Sequence, residues 1–213
     1  MSDDFKEFLK EVKAIEFREP LAETLGAFED GVVLDYTFID VIKMSGHACP
    51  TVAGAYLCCQ KALEKLYPDE IPVRGEIQVT VFGEPDEGVY GVMSQVFSFL
   101  TGAAPITGFR GLGYKFKRKD LLKFVPQKID PKALCFELRR LNNNQAVLVK
   151  FYLQEISFPD GNGKKMRELL EKVIWDAAKD GERKEFQKLW MERVKYILLG
   201  GKEIDRWLKL EER

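Results

Sequence analysis

Two prolines, Pro50 and Pro68, bracket the stretch that most limits what this chain can become. Between them Val52, Ala55, Tyr56, Cys59, Leu63 and Leu66 fall on one face at helical spacing, so a helix opens at Pro50 and needs a partner for that face. Proline suits a first helical position because its missing N–H would go unpaired there anyway. Tyr67-Pro68-Asp69 stops the run. Immediately upstream lies Ser45-Gly46-His47-Ala48-Cys49, which holds the only histidine of the protein. The N–H groups and dipole of a helix start favour negative charge, so Cys49 sits where a thiolate would be stabilised. A neutral imidazole and a thiolate two residues apart make a half-site for zinc or another divalent transition metal.

Other stretches predict both helices and strands. Ser2-Asp3-Asp4 starts a helix carrying Phe5, Phe8, Leu9 and Val12, and Pro20 begins another with Leu21, Leu25 and Phe28 that Gly31 ends. Thr37 and Asp40 are spaced as a capping box for a short helix over Phe38–Lys43, with a strand through Val33–Tyr36 as the competing reading. Ile77, Val79 and Val81 alternate with polar residues, predicting a half-buried strand over Gly75–Phe82. A helix with Val92, Met93, Val96, Phe97 and Leu100 follows and ends near Thr101-Gly102. Leu134–Leu141 and Gln145–Ile156 alternate around Asn142-Asn143-Asn144, a β-hairpin pattern. Pro159-Asp160-Gly161-Asn162-Gly163 reads as a linker to helical stripes built on Met166 to Ile174, Phe186 to Ile197, and Ile204 to Leu208. The expected fold class is therefore α+β: a small antiparallel or mixed sheet with helices packed on it over 1–158, plus an all-helical C-terminal appendage over 164–213.

Bulk properties exclude several roles. The net charge of −1 gives no overall drive toward nucleic acid or an anionic membrane. No apolar stretch approaches the roughly 18 residues a spanning helix needs, and the charged start Met1–Lys10 does not read as a signal peptide. Cys49, Cys58, Cys59 and Cys135 lack the spacing of a disulfide framework, which points to a reducing, cytoplasmic setting.

Each candidate residue has a plain alternative. His47 and Cys49 also suit a satisfied buried histidine and a small apolar cysteine. As ligands they need further donors from afar, from a partner copy or from solvent; Glu84 and Asp86, after the alternating strand, are the distant oxygen candidates, and a solvated turn is the competing role. Cys49 as nucleophile with His47 as base is the covalent alternative, without a third member to orient it. Cys59 belongs to the apolar stripe. Gly108-Phe109-Arg110-Gly111-Leu112-Gly113 follows a helix rather than a strand, so it fails the context of a dinucleotide-binding loop. Arg110 and Ser45 are the candidate contacts to a small-molecule ligand. The basic run Lys115–Lys119 reads as a solvated edge strand ahead of a nucleic-acid contact.

Met44–Gly54, reading Met-Ser-Gly-His-Ala-Cys-Pro-Thr-Val-Ala-Gly, resembles the Gly-His-x-Cys-Pro signature of the FmdE-like family, the group named for the E component of formylmethanofuran dehydrogenase. A second block agrees: the turn Glu84-Pro85-Asp86, a helix ending Leu100-Thr101-Gly102, and a glycine-rich basic loop through Gly108–Gly111. The resemblance covers residues 37–124. It implies an α+β domain, commonly a homodimer, with a metal such as zinc near the His-x-Cys motif, so that His47 and Cys49 inherit the ligand role. The chain also departs from the family pattern. Ser45-Gly46-His47 replaces the His-Gly-His form of many members, Ala103 stands where a cysteine often follows Thr-Gly, and the acidic turn has Gly88 nearby instead of a cysteine. A helical region takes the place of a Cys-x-x-Cys tail. The expectation is a metal-binding protein that takes a small molecule beside the loop after Thr101. The alternatives are a metal- or thiol-dependent enzyme on a small C1-type or anionic substrate, and a structural interaction protein without metal.

Overall fold

The computed structural model of the protein describes residues 3–158 and 161–213. Ser2, the side chain of Phe5, and Pro159 and Asp160 of the expected linker lie outside the described residues. The first helix, α1 (Asp3–Glu11), turns Phe8 and Leu9 into the core. Strands β1 (Ile15–Arg18) and β2 (Val33–Tyr36) pair antiparallel, with α2 (Pro20–Thr24) between them. Helix α2 is shorter than its apolar spacing predicts. Gly26, at φ 73°, ends it, and Leu25 and Phe28 are left exposed.

Both readings of the next stretch hold, because strand β2 runs directly into helix α3 (Phe38–Ser45). The capping box is complete: Thr37 Oγ accepts from the Asp40 N–H, and the Asp40 carboxylate accepts from the Thr37 N–H. Gly46, at φ 76°, terminates α3 and throws the chain into the His47 turn. Helix α4 (Pro50–Leu66) then runs through the middle of the molecule. It is buried well beyond the predicted stripe, with Ala53, Gly54, Leu57, Cys58 and Ala62 also enclosed. A helix with small residues all round can be covered on every side. A Cβ on Gly54 would lie 2.5 Å from the Phe151 ring, so only glycine lets the helix approach the sheet there.

The alternating residues form β3 (Ile77–Val81), followed by α5 (Tyr90–Thr101), whose end is capped by Gly102 in the left-handed conformation. A small hairpin, β4 (Gly111–Leu112) with β5 (Phe116–Lys117), precedes β6 (Leu122–Phe124). The asparagine hairpin joins β7 (Leu134–Arg140) to β8 (Ala146–Phe151), with Asn144 at φ 62°. The chain leaves β8 at Phe151 for a 3-10 turn over Leu153–Glu155, ending the second strand earlier than its alternation suggests.

The C-terminal region is helical: α6 (Gly163–Ile174), α7 (Asp180–Leu199) and the short α8 (Ile204–Trp207). After Trp207 the chain extends into a strand, β9 (Leu208–Glu212). The main sheet is thus mixed and five-stranded, in the order β6-β3-β7-β8-β9, with only the β3–β6 pair parallel. The fold is α+β with helices packed on this sheet. Val194, Ile197, Ile204, Trp207 and Leu208 lie in the same buried cluster as Val52, Leu57, Val79 and Phe151. Among the described residues, no helix is long and apolar enough to cross a membrane.

Candidate functional site

The His47 turn is held from three sides. Ser45 Oγ lies 2.8 Å from the carbonyl oxygens of both Val41 and His47, so its hydroxyl binds the end of α3 to the turn. His47 Nδ1 lies 2.9 Å from the Ser45 carbonyl. A carbonyl can only accept, so Nδ1 carries the proton and the lone pair of the neutral ring is on Nε2. Trp190 of α7 donates its indole N–H to the Ala48 carbonyl at 2.8 Å, between the two candidate ligands. Cys49 is the N-cap of α4, and its Sγ accepts from the Val52 N–H at 3.4 Å. His47 is exposed and Cys49 half-buried.

Ser45, His47 and Cys49 therefore share one short turn. Glu84 does not join them: it is exposed in the turn after β3, where its carbonyl accepts from the Glu87 N–H. Asp86, in that turn, is also exposed. Among the described residues no three His, Cys, Asp or Glu side chains gather in a way that could hold a metal. The donor chemistry of His47 and Cys49 suits zinc or a similar ion. As a set of two, it covers half of a tetrahedral shell. The other thiols are elsewhere. Cys58 and Cys59 are fully enclosed in α4, and burial pushes both thiols well above their ordinary range. Cys135, a residue of β7, is buried with Phe82, Ala133 and Leu148.

Arg110 is exposed, and its backbone carbonyl accepts from the N–H groups of Arg118 and Lys119. The arginine that turns inward is Arg118, at 3% exposure, from the basic run expected to be solvated. Its Nη2 meets Glu19 Oε1 at 2.5 Å, while Arg74 Nη1 meets Glu19 Oε2 at 2.8 Å. Arg74 also donates to the carbonyls of Phe99 and Leu100, satisfying the last turn of α5. Gly75, at φ 91°, and Gly102, at φ 72°, form the seat of the Arg118 guanidinium: a Cβ on either would fall 2.1 Å from it. A cavity of 290 Å³ opens beside this trio, walled by Leu21, Ser98, Phe99 and Phe109. A larger cavity of 780 Å³ runs along the C-terminal half of α4, lined by Gln60, Glu64, Leu198 and Leu208.

The alternating basic run gave no sign of which side chain faces in. Nothing local marks Arg118 either: the glycines that seat it, Gly75 and Gly102, are distant in sequence, and of the two only Gly75 follows an arginine. Comparison with protein-family models and with curated proteins yields no match to this chain.

Proposed function

We propose that this is a metal-binding protein in which His47 and Cys49 supply half of a zinc-type site. The observation that carries the reading is the hydrogen bond from His47 Nδ1 to the Ser45 carbonyl. Metal-bound histidines typically engage their second nitrogen in this way, which fixes the tautomer and leaves the other nitrogen for the ion. Cys49 adds a sulfur donor on the next turn of backbone, steadied by the Val52 N–H. The remaining coordination positions come from outside this set: a second copy of the chain, as the FmdE-like resemblance suggests, or solvent and a small ligand. A bound ion would supply Lewis-acid polarisation of that ligand. The protein's own part is to hold the ring and the sulfur in place through Ser45 and Trp190. A reducing, cytoplasmic setting belongs to this reading, since all four cysteines are free thiols.

Elemental analysis of the tag-free protein beside a His47→Ala/Cys49→Ala variant tests it. Near-stoichiometric metal that disappears in the variant is the expected result. Absence of metal from both, after reconstitution under reducing conditions, overturns the site. Light scattering on the same samples reports whether the metal-loaded form is a dimer.

A second reading, thiol chemistry at Cys49, draws on its position at the start of α4. It predicts turnover or covalent capture of an electrophile that is lost in Cys49→Ala and indifferent to chelators.

A further inference from the structure

We propose that the cavity beside Glu19, Arg74 and Arg118 binds a small organic carboxylate through its charged end. The charged side chains around it are two guanidiniums and one carboxylate, which leaves a single positive charge uncompensated at the wall of a half-open cavity. Both oxygens of Glu19 are already taken, one by each arginine. Arg118 Nη1 is nonetheless buried and has no hydrogen-bond partner among the described residues. Nη1 is sealed between Gly75 and Gly102, so the cavity cannot supply its acceptor, but a buried guanidinium that is short of acceptors is costly and an anion in the adjoining cavity offsets its charge.

Charge and shape narrow the class of ligand. One uncompensated positive charge matches a monoanion, and a planar carboxylate matches the fork of a guanidinium. A phosphate dianion would overshoot the charge and press against Glu19. The other walls are apolar, from Leu21, Phe99 and Phe109, with the Ser98 side chain alongside. At 290 Å³ the space holds a molecule at the small end of typical ligand sites. A short aliphatic or aromatic tail therefore fits behind the carboxylate. The glycine seat indicates that the guanidinium is built into place, since neither Gly75 nor Gly102 accommodates a side chain while Arg118 is present. The chemistry of this cavity is independent of any metal at His47 and Cys49.

The test is calorimetric and NMR titration of the full chain with benzoate and hexanoate, against benzyl alcohol and inorganic phosphate at matched ionic strength. Benzoate or hexanoate is expected to bind saturably and at least tenfold more tightly than either comparator. Ser98→Phe, which fills the cavity and leaves the arginines alone, is expected to abolish binding while keeping the wild-type melting transition. Arg118→Gln is expected to weaken binding at least tenfold; if that variant fails to fold, the Ser98→Phe result decides. Failure of both carboxylates to bind, preference for phosphate, or carboxylate affinity unchanged in folded Ser98→Phe would each overturn the proposal.

Discussion

The four sulfur atoms of this chain's cysteines live in different surroundings, and their reactivity should follow. Cys49 is half-buried at the edge of a turn, whereas Cys58, Cys59 and Cys135 are fully or almost fully enclosed. Burial raises the pKa of all three enclosed thiols, so each stays protonated further above neutral pH than a free thiol would. Since only the thiolate attacks, the folded protein at pH 7–8 is expected to show one fast-alkylating cysteine, with Cys49→Ala abolishing that phase; mass spectrometry of the labelled peptides checks it. A second fast site would mean that α4 opens readily. At this scale the sequence was informative where a residue acts on its neighbours: Thr37 and Asp40 announce the start of α3, and Asn142–Asn144 the turn of the hairpin. It was silent on Arg118, because a partner nearly a hundred positions away, Glu19, decides which member of a basic run turns inward.

Helix α7 does more than cover one side of α4. Its Trp190 reaches the carbonyl between His47 and Cys49, so an element far along the chain fixes the backbone of the candidate site. Replacing Trp190 with Phe keeps most of the apolar contact and removes the hydrogen bond. The expected cost is about 1 kcal/mol, a fall in melting temperature of about 2–4 °C, with faster amide exchange around Ala48; calorimetry and hydrogen exchange measure both. If the amides near Ala48 exchange no faster, the bond does not hold the turn. Element existence was legible for α4, α5, β3 and the β7–β8 hairpin, whose periodicities are long and clear. Strand β1 is four residues and follows closely on α1, so its alternation of Ile15, Glu16, Phe17 and Arg18 was easily lost. Strand β9 was hidden for another reason: Leu208–Glu212 is extended by its pairing with β8, and charged residues at its end carry no local strand signal.

Across the molecule, the C-terminal region and the sheet share a core. Trp207, Ile197 and Val194 are buried with α4, and β9 covers the backbone edge of β8. Removing residues 164–213 would expose that apolar face and leave β8, with Val147 and Val149, as an open edge. The shortened chain is expected to lose its cooperative thermal transition and to aggregate, as read by calorimetry and light scattering; a soluble, cooperatively melting 1–163 fragment would contradict this.

The three tryptophans also make the molecule its own optical gauge. Trp175 is exposed to solvent at 80%, Trp207 is enclosed at 1%, and Trp190 stands against the Ala48 carbonyl with Phe186 at its face. Excited in the near ultraviolet, Trp175 emits toward the red and yields to aqueous quenchers, while Trp207 stays shielded. Trp190 is the chromophore wired to the His47–Cys49 turn, so a change in its emission reports what happens there without any added label.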